Sequence, residues 1–545
     1  MAQDTSSIKS ACAALVHAPE KISRELPRIE EQAKSIKDPE LYRNIGKCLL
    51  RTNKPARALE YFKKAGAYVD MGMAYHALGE TQKAWECYHK DPDSPDAASA
   101  ACFLAQFIPS TPEDRYKAAT RYRDILKRRV KPLPPARLKP PPPLVIGFVS
   151  GDWYSHPVGY FLLGLLENLD RDKIRVVGFQ AQPNTDAYTK KLQNAFDHYE
   201  VIFGLSNMQA AQVIRSHSVH ILFDLSGHTA YNRLPLFALK PAPVQASWLG
   251  YFASTGVPGM DYLLVDKEGA LPEYQRECTE KLIYLPRTRL CFTPPDKAPD
   301  IIEGYAGKYP VYGSFAKLSK ITPEVLALWA EILDRSPDAR LRIQTRALGD
   351  GDFIKRSGIP EDRLMLHGMS SYSDYLKAYQ EIDLILDAFP YPGGTTTCEA
   401  LWMGVPTLTM AGKTLISRQG ASIMSAAGYP EWIANTREDY IQKALNIKPK
   451  KNIRPALLNT PLFNAQMFAR DFEMVLDKMW RMNMPKITID GKEYDTDQLS
   501  DEAKNQLGSI QFIDRKVQEL QAEISVFQTA RNGYARALSE ILDKQ

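Results

Sequence analysis

Two stretches of this chain carry residues whose types and spacing suit the binding of a phosphate. The first runs from Asp383 to Pro406 and reads in order as a buried strand, a glycine turn at Gly393-Gly394, a helix opening on Thr395, Thr396 and Thr397, and the approach to the next strand. Glycines at a strand end let the backbone come close to a ligand, and a helix start offers free N–H groups and the positive end of a dipole. Such a turn holds a pyrophosphate without a metal. A second reading fits the same residues, because Thr396 and Glu399 stand at capping-box spacing and the threonines then only start the helix. The second stretch, Val311 to Pro323, tilts the choice toward a ligand, since a strand runs into a loop carrying Lys317 and Lys320 just before a Thr322-Pro323 helix start.

Other candidates for chemistry lie nearer the middle of the chain. His156 precedes Pro157 at the end of the loop that follows the first apolar run, and its imidazole titrates near neutral pH. It is expected at the mouth of a cleft, against the alternative of a histidine that merely packs. Asp152 and Asp224 are alternative proton acceptors, although Asp152 is equally suited to capping its loop. The run from Ala411 to Thr414 has the end of a Walker motif but Thr407 where the first glycine is required, which argues against a P-loop. His220 and His228 are too few to make a metal site.

The elements that must position these residues follow from periodicity. Apolar runs of strand length, Leu144 to Val149, Ile174 to Phe179, His220 to Asp224, Val244 to Trp248 and Tyr262 to Val265, alternate with helical patterns, as in a parallel sheet covered on both faces. The pattern restarts at Val311 to Phe315 and continues through Leu341 to Gln344, Leu364 to Leu366, Asp383 to Phe389 and Thr407 to Met410. Two Rossmann-like lobes are expected, with ligands beyond the carboxyl ends of the strands. Ahead of them, Gly46 and Gly72 each sit among residues at tetratricopeptide spacing, but 26 positions apart, against a usual period of about 34. A compressed helical pair is predicted, not a long peptide-binding superhelix. Proline-rich residues 131–143 form a stiff spacer, and the basic run from Arg115 to Lys139 reads as a solvated helix face and linker. After it all, Ile487 to Tyr494 reads as a hairpin turning at Asp490-Gly491, and an apolar heptad stripe over 513–541 predicts a helix that oligomerises, binds a partner helix or folds back as a hairpin.

The chain has 545 residues, 44% hydrophobic and 24% charged, with a formal charge of +5. These values suit a soluble multidomain protein and give no sign of a nucleic-acid binder. Seven dispersed cysteines, an odd number with no C-x-x-C, argue against a disulfide framework or a zinc site. No signal peptide or membrane-length apolar stretch is evident, so the cytoplasm is the expected location.

The two phosphate-binding stretches, together with His156-Pro157-Val158-Gly159 and the segment Pro241 to Tyr251, resemble the catalytic region of the O-GlcNAc transferase and SPINDLY family, over roughly Val145 to Met482. The resemblance implies an α/β, two-lobed GT-B glycosyltransferase that inverts the sugar's configuration, uses a nucleotide sugar without a metal, and modifies protein side chains. It implies that His156 lies in the active site, that Lys320 contacts the diphosphate, and that Gly393, Gly394, Thr395 and Thr396 cradle it. Glu399 matches an acidic position that hydrogen-bonds the ribose. Tyr375 stands where the animal enzyme has a base-stacking histidine, Gly394 where it has a histidine, and Lys317 where the family has glutamine.

These readings divide the chain into a helical region (1–130), a linker (131–143), an acceptor-side lobe (144–305), a nucleotide-sugar lobe (306–483) and a hairpin-plus-helix appendage (484–545). The expected activity is transfer of GlcNAc from UDP-GlcNAc, as co-substrate, to Ser or Thr of an acceptor protein, with no separate cofactor. UDP-glucose, GDP-fucose, transfer to Asn, and a non-catalytic scaffold are the alternatives.

Overall fold

Short apolar runs bounded by loops become parallel strands here because helices cover both faces of each sheet. The structure is a computed structural model that describes residues 2–136, 138, 141–301, 309–345, 357–368, 370–447, 453–483, 486–489, 492–495 and 500–543. The chain divides into two compact units, Met1–Lys478 and Met479–Gln545. The expected lobe boundary at 305/306 lies outside the described residues.

Within the first unit, β1 (Leu144–Ser150), β2 (Ile174–Gln180), β3 (His198–Val201), β4 (Ile221–Asp224), β5 (Val244–Ser247), β6 (Tyr262–Val265) and β7 (Lys281–Tyr284) form a seven-stranded sheet of order β3-β2-β1-β4-β5-β6-β7. A second, six-stranded sheet of order β10-β9-β8-β11-β12-β13 contains β8 (Val311–Ser314), β9 (Arg340–Gln344), β10 (Leu364–His367), β11 (Leu384–Leu386), β12 (Thr407–Met410) and β13 (Ile433–Ala434). All pairings in both are parallel. The protein is thus α/β with two Rossmann-like lobes. Three strands lacked a sequence signal: β3, β7 and β13 are edge strands, and β3 buries no side chain and β7 only Ile283, so no long apolar run announces them.

In each sheet the strand order reverses at one place, between β1 and β4 and between β8 and β11. A crevice opens at such a switch point, beyond the carboxyl ends of the strands. The loop holding Asp152 and His156 follows β1, Asp224 ends β4, the loop holding Lys317 and Lys320 follows β8, and the Gly393-Gly394 turn follows β11. Topology therefore gathers these candidates at two crevices. The helix Ala465–Asn483 returns the chain to the first sheet, where the Phe472 ring lies 5.1 Å from Trp248 and 5.4 Å from Phe223.

Among the described residues, eight helices precede the sheets, from Ala2–Leu15 to Pro112–Arg129. Their packing explains the two marked glycines: a Cβ on Gly46 would meet the Phe62 ring at 2.4 Å, and one on Gly72 would meet the Tyr88 ring at 2.3 Å. The same residue offset recurs in both pairs, so two helical hairpins share one packing rule. The helix Pro112–Arg129 has the solvated basic face expected of it, at Lys117, Lys127, Arg128 and Arg129, and a second face that docks. Tyr122, Ile125 and Leu126 are buried against the first lobe. Arg115 is buried as well, donating from Nε to Glu277 Oε2 at 2.7 Å, and Arg121 donates to the Asp91 carbonyl at 3.0 Å. A high Lys and Arg content concealed a docking helix because each of these guanidiniums is consumed by a fixed partner. The linker is likewise docked, with the Leu133 amide donating to the Leu239 carbonyl at 2.8 Å.

In the second unit, Lys486–Ile489 pairs antiparallel with Lys492–Asp495, while the turn residues Asp490 and Gly491 lie outside the described set. One helix then runs unbroken from Asp501 to Leu542. Its heptad positions Ile513, Val517, Leu520, Ile524, Phe527, Tyr534 and Leu538 are exposed. The helix does not turn back on itself at Gly533.

Replacing Arg115 by Ala leaves Glu277 buried without its cation, and the first unit should lose about 3 kcal/mol of unfolding free energy in urea titration. The double change Arg115→Met with Glu277→Leu should recover most of that loss, because neither charge is then stranded.

Candidate active site

Asp387, just after β11, shapes the glycine turn. Its Oδ1 accepts from the Gly393 amide at 2.7 Å and its Oδ2 from the Thr409 hydroxyl at 3.0 Å, which fold the chain back over the strand end. Only glycine fits at 393, since a Cβ would lie 2.4 Å from Thr397 Oγ1 and 2.7 Å from Thr396 Oγ1. At position 394 a Cβ would meet the Gln419 amide, with Nε2 3.0 Å away. Gln419 also donates to the Gly393 carbonyl at 3.1 Å and accepts from buried Arg289 of the first lobe at 2.5 Å, so the turn is tied across the lobes.

The helix that starts there, Thr395–Trp402, has Gly394 as N-cap and no side-chain cap among the described residues. The capping-box alternative is not formed: Glu399 faces away and accepts from the Tyr372 hydroxyl at 2.9 Å and the Tyr375 hydroxyl at 3.0 Å. Thr395 Oγ1 is buried without a hydrogen-bond partner among the described residues. Uncapped amides, a helix dipole and an unpartnered hydroxyl at one point suit an anion.

Lys320 meets this turn from the β8 side. Its Nζ donates to the Pro392 carbonyl at 2.8 Å and lies 4.0 Å from the centroid of the Tyr391 ring. Burial pushes its pKa down to about 7, the nearby Lys317 ammonium adds to the effect, and the Asp387 carboxylate opposes it. An ammonium so placed gains from any anion that arrives.

The first lobe supplies the groups opposite. Asp152 is buried, and its pKa is raised to about 7 by burial and by Asp224, against the field of Lys317. Its Oδ1 stands 3.7 Å from His156 Nδ1. That nitrogen accepts from the Val158 amide at 3.4 Å, which makes His156 the N-cap of the helix Pro157–Asn168. With Nδ1 assigned as acceptor, the neutral ring carries its proton on Nε2. Burial, then Lys317, lowers the His156 pKa to about 4, so the ring is neutral at physiological pH. Asp224 is fully buried and held by the amides of Ser226 and Gly227 and the Ser247 hydroxyl, and its pKa is raised to about 6 by burial. It braces the β4 and β5 ends.

Lys317, in the loop after β8, thus acts on Asp152 and His156 of the first lobe and on Lys320 of its own, so these four residues share one electrostatic neighbourhood. Tyr375 is directed into the lobe, its ring edge-on to Phe315 at 5.1 Å and its hydroxyl bonded to Tyr379 and Glu399. Tyr372 lies near-parallel beside it at 6.1 Å and is 46% exposed, so the open aromatic face at this position is that of Tyr372. Sequence reading did not single out Tyr372, Asp387, Gln419 or Arg289. Asp387 was findable as the polar residue that ends the apolar run before the glycine turn; Gln419 and Arg289 carried no signal, because their partners lie far along the chain. Among the described residues no group of three His, Cys, Asp or Glu could hold a metal ion, and no helix is long and apolar enough to cross a membrane.

The family model described as Glycosyl transferase family 41 matches residues 125–293 and 304–472. A probable UDP-N-acetylglucosamine--peptide N-acetylglucosaminyltransferase SPINDLY of Solanum lycopersicum is 31% identical over 418 residues, covering 72% of this chain and 45% of that protein. Its counterpart in Hordeum vulgare is 33% identical over 366 residues, covering 62% of this chain and 38% of that one. The chain therefore spans less than half the length of these plant relatives. A solved structure, that of a mutant of the Thermobaculum terrenum O-GlcNAc transferase, superposes with a TM-score of 0.79 at 29% identity, covering 88% of this chain and 98% of that one.

Glu399 yields a test of the site's electrostatics. It is buried, and its pKa is raised to about 7 by that burial despite the two tyrosine hydroxyls. A raised carboxyl pKa gives stability that is full below the ordinary value near 4 and is lost as pH rises through about 7. Thermal denaturation of Glu399→Gln should accordingly match the parent at pH 4.5 and exceed it at pH 8.

Proposed function

The chain belongs to glycosyl transferase family 41, and from that premise we propose that it transfers a sugar from a nucleotide sugar to a protein side chain, with inversion and without a metal. The observation that carries the reading is the Lys320 ammonium held on the Pro392 carbonyl beside an uncapped helix start. Positive charge is concentrated there where a departing nucleoside diphosphate accumulates negative charge, and a preorganised cation in a buried site stabilises that charge strongly. UDP-GlcNAc is the donor suggested by the names of the plant relatives. Ser or Thr of a cytoplasmic protein is the proposed acceptor.

Each step falls to a group already placed. The diphosphate lies on the amides that open the helix Thr395–Trp402, with the Thr395 hydroxyl and Lys320 as further donors. Glu399 and Tyr372 border the nucleoside side. The acceptor hydroxyl enters from the first lobe and attacks the anomeric carbon as the bond to the diphosphate breaks. Asp152, which titrates near neutrality, takes its proton. His156, with Nδ1 engaged and the proton on Nε2, donates a hydrogen bond and orients a reactant.

A donor panel of UDP-GlcNAc, UDP-glucose and GDP-fucose, followed by nucleotide release from purified protein with and without acceptor protein, tests the activity. Turnover with none of them would leave a scaffold. Lys320→Ala should cut kcat by a factor on the order of 10² to 10³ while leaving the fold intact; near-normal turnover at saturating donor would remove the diphosphate role.

The pH profile of kcat/KM should be a narrow bell centred near 7. Its acid limb is the ionisation of Asp152, which is lost in Asp152→Asn, and its basic limb is the discharge of Lys320 in the free enzyme. Bound diphosphate raises the Lys320 pKa, so the basic limb of kcat should move to higher pH. A profile flat from pH 6 to 8 would count against both assignments.

A further inference from the structure

The helices ahead of the sheets reach the donor site through one row of aromatic rings. Phe107 lies just after the helix Pro95–Leu104, and its ring stacks on Tyr391 with centroids 4.6 Å apart and planes 28° from parallel. The His76 ring, from the helix Tyr68–Ala77, meets Phe107 edge-on at 4.6 Å, and Phe103 lies 5.1 Å from Phe107. Tyr391 in turn has the Lys320 ammonium 4.0 Å from its ring centroid. Nothing in the sequence joins residue 107 to residue 391.

We propose that Tyr391, held by Phe107, is a positioning residue for the Lys320 ammonium, so that the helical region completes the donor site as well as preceding it. The proposal rests on the leaving-group role of Lys320 given above.

Three physical points support it. The negative face of an aromatic ring attracts a cation, most strongly where water is excluded, and Lys320 is part-buried with one hydrogen bond to the Pro392 carbonyl. A lysine has three donors and a flexible stem, so a single carbonyl leaves its head free to swing; the ring removes that freedom. The Tyr391 ring also needs a fixed tilt, and the stacking partner that sets it comes from outside either lobe.

His76 shows that the helical region shares the field of the cleft. Its Nδ1 is buried without a hydrogen-bond partner among the described residues. Burial and the Lys317 ammonium push its pKa down to about 4, so the ring next to Phe107 is neutral and adds no charge against Lys320. The charged groups that bear on Lys320 are Lys317 and Asp387, and Arg289 bears on Tyr391. None of these changes in the variants below.

The test uses the full chain with UDP-GlcNAc, or whichever donor of the panel turns over, and measures kcat and donor KM for Phe107→Ala, Phe107→Leu, Tyr391→Leu and Tyr391→Phe beside Lys320→Ala. Tyr391→Leu and both Phe107 variants should lower kcat about tenfold with donor KM changed less than about twofold. Tyr391→Phe keeps the ring face and should stay within about twofold of the parent. On the Lys320→Ala background the same changes should add no more than about twofold, because the group they position is gone. Phe107→Leu keeps most of the buried volume and guards against loss of folding. Parental kcat in Tyr391→Leu or the Phe107 variants, with only the melting temperature lowered, overturns the proposal. So does an equal loss in Tyr391→Phe. If Lys320→Ala itself turns over normally, the leaving-group reading fails and takes this inference with it; if Lys320→Ala is inactive and the ring variants are normal, only this inference fails.

Discussion

The position of the Lys320 ammonium is the constraint on which the rest of the site depends. A cation in a part-buried cleft, beside a second lysine and the start of a helix, is electrostatically unfavourable until an anion arrives, and burial together with Lys317 lowers its pKa to about 7. The protein holds it there with one carbonyl, one aromatic face and the carboxylate of Asp387 at longer range. Asp387 is itself committed to the Gly393 amide and the Thr409 hydroxyl, so it shapes the turn without neutralising the lysine. The result is a preorganised positive site of the kind that an anion would stabilise.

That arrangement works only if two lobes and a helical region stay in register. Arg289 reaches Gln419, which holds the Gly393 carbonyl. Phe472 of the returning helix packs on Trp248 and Phe223. Arg115 and Glu277 clamp the last helix of the N-terminal region to the first lobe, while the Tyr251 hydroxyl donates to the Cys102 carbonyl at 3.1 Å and Ser99 contacts His228 Nδ1 at 2.8 Å. His228, unpromising as a metal ligand, thus serves as a buried polar rivet between the helical region and the sheet. Much of the chain's polar chemistry goes into this alignment, and the reacting groups are few.

The first-lobe groups show how one environment separates roles. Asp152 and His156 stand close, yet burial moves their pKa values in opposite directions, to about 7 and about 4, because it disfavours the charged form of each. The carboxyl becomes the group that titrates near neutrality and the imidazole becomes a neutral helix cap. Residue type alone suggests the reverse assignment.

The α/β class, most strands of both sheets and the Gly393-Gly394 turn were legible in the sequence, because buried parallel strands need continuous apolar runs and a backbone that folds this tightly over a strand end needs glycine. Gly393, Thr395 and Lys320 are local signals of that kind. The edge strands β3, β7 and β13 were not legible, since an edge demands no apolar run. The docking of Pro112–Arg129 was hidden too, because Lys and Arg read as solvated until Glu277 and the carbonyl of Asp91 are seen to meet them. Glu399 reads as a cap by its spacing from Thr396 and as a ribose contact by the family resemblance, and only the fold, by bringing Tyr372 and Tyr375 to its carboxylate, excluded the capping box. The stack from His76 through Phe107 and Tyr391 to Lys320 belongs wholly to tertiary structure. Sequence periodicity reports what a residue buries and how near its chain neighbours lie; it carries no information on which distant ring will lie beneath a given ammonium, and that contact is decided by how the packed layers bring remote segments together.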